Sequence, residues 1–74
     1  MENKHAHLAD KGLWWTVYRD WAGGVTLRFN NTGKTAYFQP GDDANRFSKD
    51  YAAACKRGAW AIGNFLHDYQ DVAS

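Results

Sequence analysis

The sequence predicts an α+β domain: a three-stranded antiparallel meander followed by one long or broken helix packed on one face (β-β-β-α). Three observations lead there. Between Leu13 and Gln39, apolar and polar residues alternate in three short runs. Glycine-containing turns separate those runs, and from Phe47 onward apolar residues recur at steps of three and four. A chain of 74 residues has room for one domain and one core.

Residues 1–10 are polar and read as a poorly ordered tail, with one helical turn around HLAD. In the first strand, Leu13, Trp15 and Val17 share one side, and Trp14, Thr16 and Tyr18 the other. WAGG supplies a turn, since Gly23 and Gly24 tolerate positive φ. The second strand sets Val25, Leu27 and Phe29 against Thr26, Arg28 and Asn30. After the turn NNTGK, the third sets Ala36 and Phe38 against Thr35, Tyr37 and Gln39. Turns this short make antiparallel hairpins. Pro40 and Gly41 end the sheet, and Asp42 or Asp43 is placed to cap a helix at its positive end.

The helix carries one apolar stripe that includes Phe47, Tyr51, Ala54, Cys55, Ile62, Leu66 and Tyr69. As a single helix, residues 43–70 would run about 42 Å at ~1.5 Å per residue. Strands of this size cover only ~20 Å. Lys56-Arg57-Gly58 has the composition of a helix C-terminus, yet no good N-cap residue follows Gly58. One bent helix and two helices both stay open. Either way Phe65, Leu66 and Tyr69 need a cover, from Trp60, the N-terminal segment or a second copy. A homodimer is expected on that ground.

Nine Lys or Arg stand against eight Asp or Glu, and neither half of the chain is strongly charged. That balance is weak equipment for binding phosphates. Cys55 is the single cysteine and can form no internal disulfide. With no apolar run of signal-peptide or membrane-span length, the chain reads as a cytoplasmic protein without a membrane partner. TGKT completes a phosphate-loop pattern only if glycine stood at Arg28 and a helix followed. His5 and His7 near Asp10, or His67 with Asp71, fall short of three or four fixed metal ligands. On the helix stripe Cys55 should be a buried, unreactive thiol. No catalytic residue, metal or cofactor is expected, and the chain is read as a non-enzyme.

The face turned away from the helix is different. It places Trp14, Tyr18 and Tyr37 beside Arg28, with Thr16 among them and Lys34 in the adjoining turn. Large aromatics with arginine are the mixture enriched at interaction hot spots. Trp14, Thr16, Tyr18, Arg28, Lys34 and Tyr37 are therefore the candidate binding residues. The plainer alternative is aromatic pairing across strands, worth ~0.2–1 kcal/mol per pair.

Two resemblances bear on the partner. The order of elements, with VYRDW and VTLRF, resembles AP2-type and integrase arm-binding domains. Those domains place a sheet against DNA, which implies nucleic acid as the partner, its bases stacking on the aromatics. In size and in its lone β-β-β-α unit, the chain is similar to the small proteins phages encode to block host machinery, including anti-CRISPR proteins. That resemblance implies a non-catalytic inhibitor occupying the surface of a host protein or ribonucleoprotein complex. The charge balance favours the second.

Overall fold

The structure is a computed structural model and describes residues 6–12 and 14–74, with residues 6–11 as backbone alone. Four strands, β1 (Ala6–Lys11), β2 (Trp15–Asp20), β3 (Val25–Phe29) and β4 (Thr35–Phe38), form an antiparallel sheet in chain order. Two helices follow, α1 (Asp42–Arg57) and α2 (Ala59–Gln70).

The three expected strands are β2, β3 and β4. The fourth, β1, corrects the helical turn expected around HLAD, since residues 6–10 lie in a strand; residues 1–5 lie outside the described residues. Alanine, aspartate and lysine carry little strand propensity, so the segment has no signal of its own. It is held instead by the ladder to β2, with a bulge between Leu8 and Asp10. The Gly12 N–H donates to the Trp15 carbonyl at 2.9 Å where the chain enters β2. With β1 outermost, β2 lies inside the sheet.

The inner face follows period two. Trp15, Val17, Val25, Leu27 and Phe29 are buried, and Ala36 and Phe38 pack partly buried against them. Across β2 and β3, Trp15 stands opposite Phe29 and Val17 opposite Leu27. The Trp15 indole N–H donates to the Tyr51 hydroxyl at 2.8 Å, so the largest inner ring buries its polar atom satisfied.

The helix breaks at Gly58. Its φ of 107° lies where side chains with a Cβ are strained. Its N–H donates to the Ala54 and Cys55 carbonyls and its carbonyl accepts from Ile62, so one residue closes α1 and opens α2. The chain then folds back. Phe47, near the start of α1, meets Phe65 and Tyr69, near the end of α2, with ring centroids 5.6 Å apart in both pairs. Phe38 of β4 stacks on Phe47 at 4.3 Å. A straight helix of about 42 Å would exceed the longest dimension of the molecule, 31 Å. Folding back supplies the cover from α1 and β4, so the helix end gives no reason for a second copy.

Two local expectations change. Neither Asp42 nor Asp43 caps α1. Gly41 is the N-cap and both carboxylates sit in the first turn, where they still face the positive end of the dipole. Cys55 is exposed, because Ala44, Phe47, Tyr51 and Ala54 take the buried positions and the next residue lies about 100° round the helix. Among the described residues no helix is long and apolar enough to cross a membrane.

Candidate functional site

The outer face of the sheet is built in two rows. Tyr18, Thr26 and Tyr37 stand opposite one another across β2, β3 and β4, and Thr16, Arg28 and Thr35 form the next row. Their strand neighbours point into the core, which turns these side chains the other way. Tyr18 and Thr26 are half-buried, Arg28 and Thr35 are exposed, and Tyr37 is 56% exposed.

Tyr37 is exposed but tethered. Its hydroxyl donates to Asp20 Oδ2 at 3.2 Å. The other oxygen of that carboxylate accepts the N–H of Ala22 at 3.1 Å and of Gly24 at 2.7 Å. One side chain at the end of β2 thus holds the β2–β3 turn and orients a ring on β4. Gly24 lies directly beneath: a Cβ there would collide with the Tyr37 hydroxyl and the Asp20 carboxylate. Desolvation, then the charge of Asp20 and the hydrogen bond to it, raise the Tyr37 hydroxyl above the ordinary phenol value. A ring fixed before contact loses less rotational freedom on binding.

The six predicted residues divide. Tyr18, Arg28 and Tyr37 lie together on the outer face. Thr16 shares that face but is 4% exposed, and its hydroxyl donates to Asn30 Oδ1 at 2.8 Å, so it braces β2 instead of meeting solvent.

Trp14 corrects the parity argument. It precedes β2 at a bend, where period two does not hold, and turns to the core side. Its ring packs edge-on to Trp15 at 5.2 Å and stacks with Phe29 at 5.9 Å. Lys34 is exposed in the β3–β4 turn and shares with Trp14 and Asp71 a cleft of about 320 Å3 at the rim of the sheet.

Sequence reasoning missed the tether. An aspartate ending a strand just before WAGG is an Asx-turn signal, and Asp20 was legible on that ground. The pairing with Tyr37 was not, because it depends on the relative twist of β2 and β4. Trp21, exposed in the same turn, was also missed, and Trp60, expected among the covers for the helix end, is instead exposed on α2. Arg19 turns to the helix side, donating to Ser48 Oγ at 3.4 Å. Among the residues whose side chains are described, Arg28 is then the one cation on the outer face. No family model, curated protein or solved structure matches this chain.

Proposed function

We propose that the chain is a non-catalytic protein-binding module. It covers a functional surface of a host protein or ribonucleoprotein complex with the outer face of its sheet, in the manner of phage-encoded inhibitors of the anti-CRISPR type. The observation that carries this reading is the Tyr18–Thr26–Tyr37 row, with Tyr37 exposed, held in place by Asp20 and flanked by Arg28. A ring laid over the β2–β3 turn with its outer side open to solvent, in the row next to Arg28, offers a pre-set aromatic contact surface. Residues around it need only exclude water.

The charge balance supports a protein partner over nucleic acid. Phosphate contacts dominate that affinity. Among residues whose side chains are described, the face offers one cation, Arg28, with the Asp20 carboxylate beside Tyr37 opposing it.

Binding to mixed single- and double-stranded oligonucleotides at two salt concentrations separates the classes. The expected result is no binding at physiological salt and only weak, salt-sensitive association below it. Micromolar binding that falls steeply with salt and is lost in Arg28→Ala would transfer the face to nucleic acid.

A further inference from the structure

The helical layer carries a second surface that the sheet-face reading does not use. Between α1 and α2 a groove of about 390 Å3 is lined by Asp50, Ala53 and Arg57 on one side and Trp60, Asn64 and Phe65 on the other. Trp60 stands at one end of it, 79% exposed, the most exposed large apolar residue among those described. Its position is set by Gly58: the break lies two residues before Trp60, which therefore sits in the first turn of α2, just past the end of α1 at Arg57.

The arrangement is self-complementary. Asp50 and Arg57 are seven residues apart on α1, hence on the same face and about 10 Å apart along the axis. Because α2 runs back along α1, Arg57 and Trp60 share one end of the groove, and Asp50 and Phe65 lie toward the other. A two-fold axis through the middle of the groove, near Ala53, would bring unlike ends together. Arg57 of each copy then meets Asp50 of the other, and each Trp60 indole enters the partner's groove against Ala53 and Phe65. Small residues in the middle let the two helical layers approach closely. Knob, hole and opposed charges on one patch meet the self-complementarity that an isologous contact requires.

We infer that two copies of this chain associate back to back through the α1–α2 groove, with Trp60 as the reciprocal anchor. A partner of different charge pattern fits less well, since acid and base both lie within the groove and a matching surface is already supplied by the chain itself. The inference does not depend on the sheet face, so its failure leaves that reading standing.

The test is sedimentation equilibrium of the full chain from micromolar to near-millimolar concentration. The wild type is expected to form a dimer. Trp60→Ala should raise its dissociation constant about tenfold or more, the effect of removing a central anchor. Arg57→Asp should do the same, and the charge-swapped Asp50→Arg/Arg57→Asp chain should restore association. All three residues are exposed, so far-ultraviolet circular dichroism should be unchanged. A wild type that is monomeric throughout would overturn the inference. So would a dimer indifferent to Trp60→Ala, or an Arg57→Asp defect that the swap does not repair.

Discussion

The two faces of the sheet share the same strands and are organised by opposite means. On the inner face, side chains are fixed by neighbours: Leu27 is fully buried, and rings from β2, β4, α1 and α2 touch one another. On the outer face the most exposed ring is fixed by a single polar tether, Asp20 to Tyr37, with solvent around it. Packing order is shared among many contacts and exists to be kept. Order supplied by one hydrogen bond at the surface costs little to lose in stability, and its value lies in what the ring can do next.

The contrast is sharpest within β3, where Leu27 and Arg28 are chain neighbours on opposite faces. Leu27→Ala should cost about 2–5 kcal/mol, because the closed core cannot collapse onto the vacancy. Arg28→Ala should change stability by less than about 0.5 kcal/mol, as surface substitutions do. Equilibrium urea unfolding of the two variants measures both values. Comparable losses would erase the distinction between the faces.

A second pair separates the two aromatics that parity placed together. Trp14→Ser should destabilise by about 2–3 kcal/mol, since its ring stacks on Phe29. Tyr37→Ser should lose less than about 1 kcal/mol, the scale of a cross-strand surface pair. Thermal melts followed by circular dichroism give the order directly. Equal losses would mean that the outer ring is structural.

The smallest effect sharpens the role of the tether. The raised Tyr37 ionisation means that the folded chain holds that proton more tightly than the unfolded chain. The resulting stability is present below the ordinary phenol value, near 10.0, and is lost as pH rises through the folded value. Asp20→Asn should move the Tyr37 ring resonances to titrate at lower pH, though not all the way, because desolvation is the larger cause. An unchanged titration would detach Asp20 from the ring.

The inner face was legible because Val25, Leu27 and Phe29 alternate cleanly and a one-residue slip would expose all of them. The break at Gly58 was legible as one of two options, since Lys56-Arg57-Gly58 has the composition of a helix end. Folding back was not, because Phe47 meets Tyr69 only after the chain reverses at a single residue. Three features were not legible from alternation or helical spacing alone. Residues 6–10 look like tail until β2 pairs with them. Trp14 looks like strand until the bend ahead of β2 turns it inward. Cys55 fits the apolar stripe until Ala54 takes the buried place. Of the site, Tyr18, Arg28 and Tyr37 could be read from alternation alone, whereas Asp20 and Gly24 acquire their roles only when β4 lies beside the β2–β3 turn.

The central claim, that the outer face is for contact and not for stability, is tested most directly with the doubly substituted Tyr37→Ser/Arg28→Ala chain. It should be immobilised beside the wild type and exposed to the same host lysate after its melting temperature has been measured. The account predicts melting within a few degrees of wild type, and a defined host complex recovered in stoichiometric amount by the wild type and absent from the variant. Equal recovery by both chains, or a variant that retains the complex while melting far below the wild type, would contradict it.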